Sequence, residues 1–285
     1  MNRALIFSAI IEDSWRESWA RRASLVVGLI VLALLLLFAF GVNVREVEDQ
    51  PGLIRVSLFG AELGELPKAT FADAIELAAL GLANPWGIFL GLFIAIGLFS
   101  GMFTRGRIDL VLAKPIARWE LYLARYLGGV VLVFATTMLF CLGVWFLLWL
   151  KVGLTDLGLI WAGCIVVFLF AVLYSFSALI ALVTEGTGVA LVATVVLWGM
   201  AEFTYFRDAL RQLSPLLGSI ADALYYLLPK TNDLEMVTTR LVGAEQFLNE
   251  IPGGASSVGF AFWTSGLFAV VMLALGIYLF SRRDY

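Results

Sequence analysis

Residues Leu157–Thr184 read LGLIWAGCIVVFLFAVLYSFSALIALVT, without one Asp, Glu, Lys or Arg. A hydrocarbon layer about 30 Å thick is crossed by about 20 mostly apolar residues in a helix. This stretch therefore reads as a membrane span, and the same reading applied outward finds others. Charge-free runs of comparable length are Ala23–Val44, Asn84–Thr104, Tyr126–Leu150 and Ser257–Ser281. Gly188–Ala201 is shorter and reaches span length by continuing through Glu202 to Phe206. Six spans are expected, at 23–44, 84–104, 126–150, 157–184, 188–206 and 257–281.

The whole chain agrees with that reading. Of 285 residues, 61% are hydrophobic and only 14% charged, with a mean hydropathy of +0.95. Soluble domains carry about 45–50% apolar and about 25% charged residues, so a soluble globular enzyme and a disordered chain are both excluded. A net charge of −3 gives no electrostatic basis for nucleic-acid binding. Histidine is absent, which removes His-based acid–base, nucleophilic and metal chemistry. Cys141 and Cys164 sit in apolar runs and read as small buried hydrophobes. No metal site, internal repeat or low-complexity tract is found.

Basic residues assign the sides. Arg3, Arg16, Arg21 and Arg22 precede the first span. Arg105, Arg107, Lys114, Arg118 and Arg125 lie between the second and third, and Arg282 and Arg283 follow the last. Residues 45–83 hold three bases against seven acids, and residues 207–256 hold four against six. The positive-inside rule places both termini and the 105–125 loop in the cytoplasm, in agreement with an even number of spans. The expected fold is an all-α integral membrane protein, one transmembrane domain over 1–285 in contact with the lipid bilayer. Residues 1–22 form an interfacial amphipathic helix, with Ile6, Ile10, Trp15 and Trp19 at roughly helical spacing.

The external loops are expected to be helical, apart from a short strand at Leu53–Phe59. Thr70–Leu82 reads as an amphipathic helix begun by a Thr cap. Asp208–Leu228 and Leu234–Glu250 read as two more, broken by Pro229-Lys-Thr-Asn232.

Within the spans the only ionisable group expected is Glu202, near the outer end of the fifth. That scarcity counts against a proton- or sodium-coupled transporter and against an intramembrane hydrolase. Thr136, Thr137, Ser175 and Glu202 are the candidate pathway residues, although Ser and Thr inside spans more often bond helix to helix. Gly87-x-x-x-Gly91 and Gly97-x-x-x-Gly101 give the second span two close-packing motifs.

The loop between the second and third spans is the most distinctive stretch. In it, Ile108, Val111 and Leu112 make an apolar stripe beside Arg107 and Asp109. Pro115 biases Lys114 away from helix, so a turn falls there. A second helix restarts at Arg118-Trp-Glu120 and runs into the third span.

The segment Gly106-Arg-Ile-Asp-Leu-Val-Leu-Ala-Lys-Pro-Ile-Ala-Arg-Trp-Glu-Leu-Tyr-Leu123 resembles the signature of type-two (ABC-2) exporter permeases. That pattern is roughly Gly-Thr-Leu-Glu-x-Leu-Leu-(Ala/Ser)-x-Pro-(Ile/Val)-Ser-Arg, followed by an aromatic residue and the next span. Members most similar in style include permeases linked to copper-enzyme maturation and to multidrug or peptide export. The family opens on a basic amphipathic helix, as Met1–Arg22 does, and commonly has acids just before the glycine, where Gly101-Met-Phe-Thr-Arg105 has none.

The resemblance implies a prokaryotic cell-membrane permease that carries an exporter's translocation path. It makes 105–115 a coupling helix on a separate ABC ATPase, with Arg105, Arg107, Ile108, Asp109, Leu112, Lys114, Pro115 and Arg118 at the contact. A second permease copy, identical or related, completes the path. The chain has no Gly-x-x-x-x-Gly-Lys-Ser/Thr phosphate loop, so ATP would be used by the partner and no cofactor is expected here. Two other classes stay open: a secondary transporter or channel, which intramembrane charges or a broken mid-span helix would favour, and a non-transporting membrane assembly protein.

Overall fold

The computed structural model describes residues 22–47, 50, 52–101, 117–243 and 258–283, with side chains from residue 25 onward. Helix α1 is Arg22–Gly41 and leads directly into strand β1, Val42–Glu46. Strands β2, Leu53–Leu58, and β3, Ala61–Pro67, complete an antiparallel sheet in the order β1-β2-β3. Seven further helices follow among the described residues: α2 Lys68–Ser100, α3 Arg118–Val152, α4 Gly158–Thr184, α5 Thr187–Leu213, α6 Pro215–Leu227, α7 Thr231–Leu241 and α8 Val258–Arg282. Five of these, α2, α3, α4, α5 and α8, are long and apolar enough to cross a membrane, as in a multi-pass membrane protein. Helix α1 is apolar over Leu25–Gly41 but shorter.

Several expectations are corrected. The first run does not stay helical to Val44, because Val42 and Val44 pair with Leu58 and Val56 across the sheet. The segment after α1, expected to lie outside, is thus a three-stranded sheet rather than one strand among helices. Residues 68–82 do not form a separate surface helix with a Thr70 cap. The helix starts at Lys68 after extended Pro67, without a side-chain cap, and continues unbroken to Ser100. It passes Pro85 through a π-helical turn, Ala83–Gly87. A π turn skips the hydrogen bond that proline cannot donate, so the helix continues where an α-helix would break. The stretch 208–228 divides at Ser214, which is extended (φ −158°, ψ 133°) because Pro215 follows it.

Helix α4 is the centre of the bundle. It packs on α2, α3, α5, α7 and α8 and carries the longest run of buried side chains. Around its second half lies an aromatic core. The Tyr174 ring stacks on Tyr126 and Phe170, with centroids 5.1 and 5.3 Å away. Its hydroxyl donates to the Ala95 carbonyl at 3.1 Å. Phe99 meets Tyr122 edge-on at 5.2 Å, and Tyr122 meets Phe280 of α8 at 6.2 Å. Two glycines admit these rings: a Cβ at Gly129 would lie 2.8 Å from Tyr174, and one at Gly276 would lie 2.1 Å from the Tyr122 hydroxyl.

The ends of the bundle are tied by cations on carbonyls, which complement helix C-termini. Lys151, in the last turn of α3, donates to the carbonyls of Ala39 (2.8 Å) and Val42 (2.6 Å) at the end of α1. At the opposite end, Arg118 donates to the carbonyls of Ser281 (3.3 Å) and Arg283 (2.5 Å). Arg283 in turn bonds the Leu182 carbonyl and pairs with Glu185 at 2.8 Å.

Candidate functional site

Two features stand out, a polar interior near the sheet and an apolar pocket at mid-height. The polar interior exists because α2 and α7 bring acids inside. Glu76, on the segment expected to lie at the surface, is buried on α2, within electrostatic range of Asp73 and Asp156. The spanning helices therefore hold more ionisable groups than the sequence reading allowed, and Arg125 of α3 is buried as well. Two turns beyond Glu76, Asn84 is buried in the π turn, with its side chain beside the Glu235 carboxyl of α7. Burial, followed by the nearby Glu202 charge, pushes the Glu235 carboxyl up to about 7, against the opposing effect of the Asn84 amide. Glu202 itself accepts from Trp198 Nε1 at 3.1 Å. Asn232 Nδ2 reaches the Ala201 and Glu202 carbonyls at 3.4 Å, which docks the start of α7 on α5.

Lys230, in the break between α6 and α7, is the buried cation of this region. Its backbone N–H donates to Ser265 Oγ of α8 at 3.0 Å. Its ammonium donates to the carbonyls of Leu228 (3.0 Å) and Tyr225, and lies 4.1 Å from the Tyr225 ring centroid. Burial lowers its pKa to about 8, an effect that Asp233 opposes and Arg207 reinforces. Tyr225 donates its hydroxyl to Asp233 Oδ2 at 2.8 Å. Among the described residues, no group of three His, Cys, Asp or Glu is placed to hold a metal ion.

The apolar pocket, about 350 Å³, lies between α1, α2 and α3. Val27, Ile30, Val31 and Leu34 form one wall, Trp86, Gly87, Leu90 and Gly91 a second, and Thr136, Thr137 and Phe140 a third. The Thr136 hydroxyl turns back on its own helix, to the carbonyls of Leu132 (3.1 Å) and Val133 (3.0 Å).

The sequence-predicted residues therefore fall in different places. Thr136 and Thr137 share the pocket with Gly87 and Gly91. Ser175 is buried in α4 and bonds the Val172 carbonyl at 2.7 Å, away from that pocket. Glu202 belongs to the polar interior. Gly91 is a packing glycine whose neighbours are in the same chain: a Cβ there would lie 3.0 Å from Val133 and 3.2 Å from Phe170. Gly87 is not, since a Cβ there would meet only the Leu82 carbonyl at 3.9 Å. Gly97 and Gly101 close the last turn of α2, where the Gly101 N–H bonds the Gly97 carbonyl. Arg118 opens α3 and faces the chain's own C-terminal segment. Arg105, Arg107, Ile108, Asp109, Leu112, Lys114 and Pro115 lie outside the described residues, as does the interfacial helix expected over 1–22 except for its last residue.

Glu76, Asn84, Lys230 and Glu235 were not anticipated. The available signal was the absence of a helix stop between Thr70 and Asn84. No protein-family model matches the chain, and a search of curated proteins gives no match.

Proposed function

We propose that this chain is the membrane-spanning permease subunit of an ABC-2 type ABC transporter, working as an exporter's half-pathway driven by a separate ATPase. The observation that carries the reading is the segment Gly106–Leu123, which joins two membrane-spanning helices and resembles the family's signature. The apolar helices support it, with α1 as a sixth crossing. The tie from Arg118 to Ser281 and Arg283 also supports it, because the basic start of α3 and the basic end of α8 then share one side, the cytoplasmic side in this reading. In this reading β1–β3, α6 and α7 face outside, and a second permease copy completes the path. The test is co-purification with the ATPase and ATP turnover in the presence of the permease. Replacing Ile108 and Leu112 together by Asp places unpaired charges in the docking surface. Loss of both readouts is expected, with the helices still inserted; wild-type values would overturn the assignment.

A second reading, a secondary transporter, draws on Glu76, because a buried acid inside a span is a feature of ion pathways. Proton or sodium flux by the chain alone in liposomes, abolished in Glu76→Gln, would favour it over the ABC reading.

A further inference from the structure

We propose that the pocket between α1, α2 and α3 is a binding site for one acyl chain of a bilayer phospholipid. The proposal stands apart from the coupling to an ATPase. Depth is the first argument. Thr136 lies 18 residues from the start of α3 and 16 from its end, so about 27 and 24 Å along the helix. A hydrocarbon layer about 30 Å thick centred on such a helix surrounds the pocket. Chemistry is the second. The walls are apolar apart from Thr136 and Thr137, and the Thr136 hydroxyl is already satisfied by its own helix. The Thr137 hydroxyl alone falls short of the two to four polar partners that a stable buried water needs. Size is the third. The volume of about 350 Å³ falls within the range of ligand pockets, about 300–1,000 Å³. It is too small for a helix of a second copy, which is about 10 Å across. The glycine at position 87 keeps the space open: among the described residues, a Cβ there would meet only the Leu82 carbonyl, at 3.9 Å. Trp86, 64% exposed, stands beside it at the rim.

The test uses the full chain in vesicles of synthetic palmitoyl-oleoyl phosphatidylethanolamine and phosphatidylglycerol. A diazirine analogue of leucine is placed at Leu90 in the pocket or, as a control, at Phe134, which is 46% exposed on α3 and does not line it. After irradiation, phospholipid adducts are counted by mass spectrometry. At least a five-fold excess at position 90 over position 134 is expected. Gly87→Leu should fill the pocket and reduce the position-90 adduct at least five-fold, with the position-134 adduct unchanged. Thr137→Leu serves the same purpose should Gly87→Leu not fold. Equal labelling at the two positions, insensitive to filling, means surrounding lipid only and overturns the proposal. So does a cross-link from position 90 to residues 1–21 or to a second copy. Labelling seen in native membranes but absent in the synthetic vesicles would assign the pocket to another molecule and overturn it equally.

Discussion

The half of the bundle nearer Arg118 is filled with rings, whereas the half nearer the sheet is filled with charges and amides. In the first, Tyr122, Tyr126, Tyr174, Phe99, Phe170 and Phe280 interlock across four helices. In the second, Glu76, Asn84 and Lys230 are buried and Glu235 is half-buried, among α2, α5, α6, α7 and α8. Close-packed rings lose dispersion contacts on any change of volume, and their stability does not depend on proton concentration. Buried carboxyls tolerate small changes of shape but respond to pH. One half is therefore suited to hold its geometry, and the other to alter it.

The largest effect expected is in the rigid half. Tyr174→Ala removes a fully buried ring and its bond to Ala95, and should cost about 3–5 kcal/mol. Thermal unfolding in detergent micelles measures it, and a loss below 1 kcal/mol would break the contrast between the halves.

Next is pH. The Glu235 carboxyl titrates near 7 in the folded protein against an ordinary value of 4.5, so the folded state binds its proton more tightly. This contribution is fully present below about pH 4.5 and is lost as pH rises through 7, at about 1.4 kcal/mol per unit of difference at most. Melting temperature followed from pH 4.5 to 8 should fall in the wild type and fall less in Glu235→Gln. Parallel curves would mean that Glu235 is not the group responsible. Lys230 acts at a higher range: its folded value near 8 lies below the ordinary 10.5, so stability should rise as pH goes from 8 to 10.5. Lys230→Met should flatten that rise.

A smaller difference separates two glycines of one motif. Gly91→Leu forces a side chain against Val133 and Phe170 and should cost about 1–3 kcal/mol. Gly87→Leu enters open space and should leave the melting temperature close to wild type. Equal losses would show that both positions are packed. The smallest effect is at the sheet surface, where Glu65→Ala breaks an exposed pair with Arg55 (2.7 Å) and should give no resolvable change.

The apolar spans were legible because charge-free length is a property of the chain alone. The polar interior was not. Asp73 and Glu76 gave residues 70–82 the look of a surface helix separate from the span that follows. The π turn at Ala83–Gly87 joins the two and carries Glu76 inside. Strand β1 was hidden because Val42-Asn-Val44 continues an apolar run without interruption. Strand β3 was hidden for the opposite reason: all seven of its residues are exposed, so no alternation marks it. Thr136 and Thr137 were recognisable as polar groups in a span. The pocket beside them depends on three helices distant in sequence, which no local pattern encodes.

The bond from Arg118 to the Ser281 carbonyl joins residues 163 positions apart. During synthesis at about 5–20 residues per second, α3 waits roughly 8–30 seconds before the helix that completes its packing exists. Throughout that interval Tyr122 lacks Phe280 and Gly276, and Arg118 lacks its carbonyl acceptors. Biogenesis of this protein is thus a retention problem. A chain halted between α5 and α8 therefore holds α3 and α4 without the partners that close the bundle at this end.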